Sequence, residues 1–233
     1  MSTSRSGHLE RTAQEPRDQG LHVVRLDRID QVNERIRLFR LTLESGPVEF
    51  SAGQWLDTYV PNTAKPGGFT ITSRPSAAAS TSQRPYLELA VQESPENPPA
   101  AWLWRSPSEI LGSKLQVRVG GSFVFPPRHV CPDEMRRVVF VAGGVGINPL
   151  VSMMGCIAEG GHDVDVRVLY ASKVPPSGLS GVLFLDRIRG WFDEGRLRGE
   201  LKVFATRRGE GRFGVEHAKE AVGGDEAVVY VCG

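Results

Sequence analysis

Hydrophobic and polar positions follow two different patterns along the chain, and the change comes near residue 130. Between Leu21 and Phe125, apolar residues alternate with polar ones in short runs, as half-buried strands require. Leu21–Arg28, Ile36–Leu43, Val48–Phe50, Gln54–Val60, Phe69–Thr72, Tyr86–Val91, Leu115–Val119 and Ser122–Phe125 read as strands. Gly46-Pro47, Ala52-Gly53, a Ser- and Ala-rich loop at 76–83 and Gly120-Gly121 are the turns between them. Pro98-Pro99 leading into Ala100–Leu103 predicts one short helix, since proline suits a first helical turn. Many short strands with little helix predict a small antiparallel barrel or sandwich over residues 21–130.

Beyond Pro126-Pro127 the pattern changes. Val138–Ala142 is an unbroken apolar run, which marks a strand buried on both faces. Pro149–Glu159 reads as a helix that stops at Gly160-Gly161. Val164–Tyr170, Leu201–Ala205 and Ala227–Val231 read as strands, and Val182–Phe192 and Phe213–Val222 carry helical segments. Strands alternating with helices predict parallel βαβ units over residues 131–233. No internal repeat is visible.

Composition narrows the function. The 233 residues are 40% hydrophobic and 24% charged, enough for two packed cores of ordinary domain size. A net charge of +1 supplies no basic excess for nucleic acid. The three cysteines, Cys131, Cys156 and Cys232, are odd in number and far apart, and the five histidines are scattered. Neither a disulfide framework nor a metal site is expected. No apolar run reaches the roughly 20 residues of a membrane helix. Residues 1–20 are polar and read as a disordered tail. Arg5, Arg11 and Arg17 there are offset by Glu10, Glu15 and Asp18, and no apolar stretch of a secretory signal is present. A mitochondrial or cytoplasmic location is the expectation.

The turn Gly143-Gly144-Val145-Gly146 follows the buried strand and leads through Ile147 to Asn148-Pro149. A parallel strand brings the chain to the carboxyl edge of its sheet, where ligands of open α/β folds bind. Glycines allow a sharp turn and let a pyrophosphate approach with no Cβ in the way. Asn148 reads as a helix cap and Pro149 as a first helical residue, aiming free N–H groups and the positive dipole end at the phosphates. The plain alternative is a glycine-rich connection of strand to helix. No Gly-Lys-Ser/Thr follows, so nucleotide hydrolysis of the P-loop kind is not indicated.

The order of the parts resembles the ferredoxin–NADP reductase superfamily, and within it the oxidoreductase NAD-binding-domain-containing proteins. The residues that carry the likeness are Gly53–Asp57, Gly67–Ile71, Val117–Gly121 with Phe123, Gly143–Leu150, Tyr170–Lys173 and the final Val229–Gly233. Coverage runs from about Leu21 to the last residue. The resemblance implies an antiparallel FAD-binding-type β-barrel followed by a Rossmann-like parallel α/β domain. It implies NAD(P)H and FAD as cofactors, with hydride passing from nicotinamide to flavin and electrons passing to an acceptor that no motif identifies. Phe69, Thr70, Ile71 and Thr72 fall at the flavin positions. Gly143 to Pro149, including Val145 and Ile147, fall at the nicotinamide dinucleotide, as do Ser172, Lys173, Arg207, Cys232 and Gly233. Thr70 and Cys232 are the implied catalytic side chains, the cysteine sitting by the nicotinamide.

Two departures matter. Flavin-binding relatives carry an Arg two residues before the aromatic, paired to the flavin pyrophosphate; Gly67 stands there, and neither Lys65 nor Arg74 has its spacing. The segment Pro98–Leu103 also lacks the glycine and hydroxyl residues that would face that pyrophosphate. Second, relatives continue past the cysteine with a helix and a strand, so the chain reads as truncated at Gly233. Cys232 also reads as a buried strand-end thiol. Ser172-Lys173 and Arg207-Arg208, with no acid closing the Leu169-Tyr170 strand, lean toward NADPH; a solvated basic loop explains them equally. The sequence therefore predicts a flavin-dependent NAD(P)H oxidoreductase. Its alternative is a non-catalytic NAD(P)-binding module that has lost flavin and serves as a redox sensor or assembly partner.

Overall fold

A computed structural model describes residues 7–131, 134–161, 163–206, 213–224 and 226–233. The first six strands, β1 (His22–Asn33), β2 (Ile36–Leu43), β3 (Trp55–Tyr59), β4 (Gly67–Thr70), β5 (Tyr86–Gln92) and β6 (Lys114–Gly120), form one antiparallel sheet in the order β4-β3-β6-β1-β2-β5. A bridge between Ile71 and Leu89 joins its two edges into a barrel. Alternation explains the core. Phe39, Leu41 and Leu43 of β2 and Leu115, Val117 and Val119 of β6 all point inward and are buried. Burying such side chains stabilises by roughly 1.5–3 kcal/mol each.

Three expectations change here. Val48–Phe50 and Ser122–Phe125 form no strand; Ala52 and Phe125 make only a single bridge. Strand β1 runs on to Asn33 through two register shifts with β2, so its alternation is broken and the polar far half was not legible as strand. The tail is not free from Gly7 onward. A one-turn helix, α1 (His8–Arg11), is followed by Arg17 bridging to Gly120, and Asp18 N–H donates to Val119 O at 3.0 Å. The helix α2 (Pro98–Leu103) forms where Pro98-Pro99 predicts it, and a short α3 (Pro107–Ile110) follows.

The second sheet is parallel, order β10-β7-β8-β9, from β7 (Arg137–Gly143), β8 (Asp165–Lys173), β9 (Arg198–Thr206) and β10 (Ala227–Cys232). The helices are α4 (Ile147–Gly160), α5 (Leu185–Asp193) and α6 (Val215–Val222). α5 begins three residues later than the apolar pattern implies, because Phe184 is in the left-handed region at φ 60° and breaks the helix there. Among the described residues no helix is long and apolar enough to cross a membrane.

The two parts share a core: Ala52, Ala90 and Phe125 of the barrel pack into the cluster built on Phe140, Leu150, Met153 and Tyr230. Arg187 of α5 grips Glu88 of β5 with both ends, Nη1 to Oε1 at 2.8 Å and Nη2 to Oε2 at 3.1 Å, and Thr72 Oγ1 donates to the same Oε1 at 2.8 Å. A double-mutant cycle of Arg187→Ala with Glu88→Gln is expected to return a coupling of about 1 kcal/mol in unfolding free energy, modest because the guanidinium is partly solvated. A coupling of zero would show that this ion pair adds nothing to the junction beyond its other contacts.

Candidate functional site

Strand β7 ends at Gly143, and a tight 3-10 turn over Gly144–Gly146 carries the chain into α4. This is the carboxyl edge of the parallel sheet, where the sequence places the phosphate turn. The three glycines do different work. Gly144 has φ +51° and a Cβ added to it would stand in open space. Gly146 is packed against the end of β10: an added Cβ would lie 2.5 Å from the Cys232 carbonyl carbon, closer still to its oxygen, and 2.7 Å from Gly233 N. A Cβ added at Gly143 would lie 3.4 Å from Gly233 Cα, an ordinary contact. Of the three, only Gly144 has a Cβ position clear of the other described residues, and its positive φ itself favours glycine. No side chain caps the 3-10 turn or α4; Ile147 N–H already donates to Gly144 O and Pro149 has no N–H, so an anion on the turn would meet Gly144–Gly146 and the dipole end of the helix.

Asn148 and Pro149 sit two residues deeper in the helix than expected. Helix α4 starts at Ile147 with Gly146 as its cap, so Asn148 is the second helical residue and Pro149 the third. Asn148 is buried, and its Nδ2 donates 3.0 Å to Ala90 O of the barrel. Ser152, one turn on, donates to Ser73 O at 2.7 Å. These side chains strut the turn against the barrel instead of capping the helix. Ile147 is core, and Val145 packs against its edge. Tyr170, buried in β8, holds the turn from below: its hydroxyl is 3.1 Å from Leu183 O and 3.3 Å from Gly144 O, and burial pushes the phenol up to about 12. The sequence marks Tyr170 only as part of the Tyr170–Lys173 likeness; its role under the turn was not legible, because its partners lie 13 and 26 residues away.

Register aligns Ala171 with Gly143, so Ser172 and Lys173 continue β8 past the same edge as the glycine turn. Ser172 Oγ lies 3.2 Å from Lys173 O, and Lys173 is exposed. Arg207 falls outside the described residues. Cys232 ends β10 beside Ala142, with Gly233 against Gly143. Burial pushes the Cys232 thiol up, so it stays protonated at neutral pH.

The residues at the flavin positions behave differently. Phe69 is buried in the barrel core with Leu56, its register partner, and with Val119, which pairs with Leu56 from the next strand. Ile71 is fully buried and closes the barrel on Leu89, and Thr72 is spent on Glu88. Thr70 is half-buried opposite Trp55 on the outer face. No hydrogen bond joins Thr70 to Cys232 among the described residues, and the two stand on different domains. A Cβ at Gly67 would meet the Phe69 ring at 2.6 Å and Pro99 Cβ at 2.7 Å. The place of the pyrophosphate-binding Arg is thus filled, and these residues do not fit FAD as the resemblance implies it.

The sequence reading missed a charged centre. Asp57 in β3 is fully buried and accepts from His8 Nε2 at 2.8 Å, Arg17 Nε at 3.0 Å and Arg118 Nη2 at 2.6 Å. Trp55 lies between the His8 ring, edge-on at 4.7 Å, and the Arg17 guanidinium at 4.9 Å. A lone acid among Trp55, Leu56, Thr58 and Tyr59 was the available signal; its three partners lie 40 to 61 residues away.

No protein-family model matches the chain. It is similar over its whole length to oxidoreductase NAD-binding domain-containing protein 1 of Bos taurus, at 29% identity over 253 residues covering 78% of that protein. The protein of the same name from Danio rerio is 37% identical over 153 residues, 66% of this chain and 54% of that one. Among solved structures, the cytochrome b5 reductase domain of Ulva prolifera nitrate reductase superposes with a TM-score of 0.70 over 92% of this chain and 87% of that domain, at 17% identity.

Proposed function

From a chain that has the ferredoxin–NADP reductase-like pair of domains and is related along its length to oxidoreductase NAD-binding domain-containing protein 1, we propose an NAD(P)H-dependent oxidoreductase. The observation that carries it is Gly144, the one glycine of its turn with open space where a Cβ would be, at the mouth of an uncapped helix. The backbone of Gly144–Gly146 and the dipole end of α4 would hold the dinucleotide's phosphates, and Ser172 and Lys173 its adenosine end. Bound there, the nicotinamide supplies a hydride. The chain's own part is rigidity. Tyr170 fixes Gly144 from below, Asn148 and Ser152 tie α4 to the barrel, and Cys232 presents a protonated thiol beside the turn.

Lys173 at the strand end, with no acid there to hold a free ribose hydroxyl, favours NADPH over NADH. Calorimetry is expected to return tighter binding for NADPH and a preference that shrinks in Lys173→Ala. Binding of neither nucleotide at millimolar concentration sinks the proposal. The second reading, a dinucleotide-binding module without catalysis, is favoured by the filled space at Gly67. Reduction of an artificial acceptor by NADPH separates the two: turnover supports the oxidoreductase, and binding without turnover supports the module.

A further inference from the structure

We infer that the barrel has no diphosphate-binding site for FAD, so that the nucleotide arm of that cofactor adds nothing to its hold on this chain. The inference stands on the barrel alone and not on the nucleotide reading above.

A flavin dinucleotide is held by meeting its diphosphate with cations or with free backbone N–H groups. The barrel withholds both. At Gly67 the space for any side chain is taken by the Phe69 ring and by Pro99 Cβ, so a guanidinium has no room to start from that backbone. The facing helix α2 opens with Pro98-Pro99, two residues without an N–H, and Asn97 before it makes no side-chain cap. Asn97 N–H donates to Ser94 O, so of the donors that usually cradle an anion the first turn of α2 keeps only Ala100 N–H.

The charges around this spot do not compensate. A cleft of about 900 Å³ lies here, walled by Gly7–Arg11, by residues 63–68 and by the approach to α2. Among the described residues its cations are Arg11 and Lys65, and its acids are Glu10 and Glu96. Lys65 Nζ already lies 3.9 Å from Glu10 Oε1. A diphosphate would bring negative charge to a wall whose charges already balance. Arg74, the other nearby base in sequence, is turned to Glu159 at 3.2 Å and Ser76 Oγ at 3.0 Å. The α1 wall is itself anchored: the His8 ring covers Gly68 so closely that no Cβ would fit, and His8 is bonded to buried Asp57.

One bidentate guanidinium–phosphate pair is worth on the order of tenfold in affinity. A barrel with such a site therefore separates FAD from riboflavin, and one without it does not. The test titrates the folded full chain with FAD, FMN and riboflavin. Folding is established by a cooperative thermal transition, and NADPH binding is measured in parallel. The chain is expected to purify without flavin absorption and to bind FAD no more than about fivefold tighter than riboflavin, or neither. FAD retained through purification, or a preference above fivefold, overturns the inference. A second variant sharpens it. Gly67→Arg is expected to lower the thermal midpoint and gain no FAD; a variant that melts with the wild type and retains FAD overturns it too. Loss of NADPH binding in the same samples would count against the nucleotide reading and leave this one untouched.

Discussion

Gly144→Ala and Gly146→Ala are expected to fail in opposite ways. In Gly146→Ala the new methyl meets the Cys232 carbonyl and Gly233 N. These are backbone atoms and cannot swing aside as a side chain would. Overpacking of this kind costs about 3 kcal/mol at the upper end of its range. For a chain of this size that lowers the thermal midpoint by roughly 6–12 °C. In Gly144→Ala the methyl points into open space, and only the left-handed backbone at φ +51° is strained, at about 1 kcal/mol. Its nucleotide affinity, however, is expected to fall about tenfold or more, since the methyl stands where the diphosphate must approach. Calorimetric titration with NADPH and thermal melts of both variants decide it. A Gly144→Ala protein that binds as tightly as wild type removes the turn from the phosphate site.

Asp57→Asn is expected to loosen the amino-terminal strap and to make the barrel's stability less dependent on pH. The substitution keeps the volume and removes the charge that His8, Arg17 and Arg118 converge on. Breaking a buried charge cluster from one side costs about 3 kcal/mol, the lower end of the usual range, because Arg118 is partly solvated. Burial works to raise the Asp57 carboxyl, but the hydrogen bonds from Arg118, His8 and Arg17 together hold it below the ordinary range. Its contribution is therefore full above the unfolded value of about 3.9 and is lost as pH falls through the lower folded value. His8 adds an earlier step. Its burial outweighs the favourable carboxylate and holds the imidazole below its ordinary value. That contribution is present above about pH 6.5 and fades as pH falls through the folded value. Melting midpoints of wild type and Asp57→Asn should thus lie furthest apart near neutrality and converge in acid. A gap that stays constant from neutral to strongly acidic pH would show that the charge is not its source.

The parts of this protein legible in its sequence are those whose cause lies within a few residues. Period-two alternation places Phe39, Leu41, Val117 and Val119 inside a barrel, because neighbouring side chains on a strand must face opposite ways. The apolar run Val138–Ala142 is a parallel strand because both of its faces are covered. Pro98 starts α2 because a first turn needs no N–H, and the glycines after Ala142 turn the chain at the sheet's carboxyl edge. Fold and glycine turn follow from these local rules.

What tertiary structure decided is which of those residues meet partners far away in the chain. Asn148 looks like a helix cap and is a strut, because Ala90 O, 58 residues earlier, lies within its reach. The missing side chain of Gly146 looks like room for a phosphate and is room for β10, which returns beside β7 and ends on it. Phe69 looks like a flavin platform and is core, because its strand turns it toward Leu56 and Val119 and its ring fills the space over Gly67. Residues 7–18 look like a tail and are a strap, because Asp57, buried and alone in an apolar strand, draws His8 and Arg17 onto it. A buried charge must find its partners wherever the chain brings them, and no pattern of neighbours records where that is.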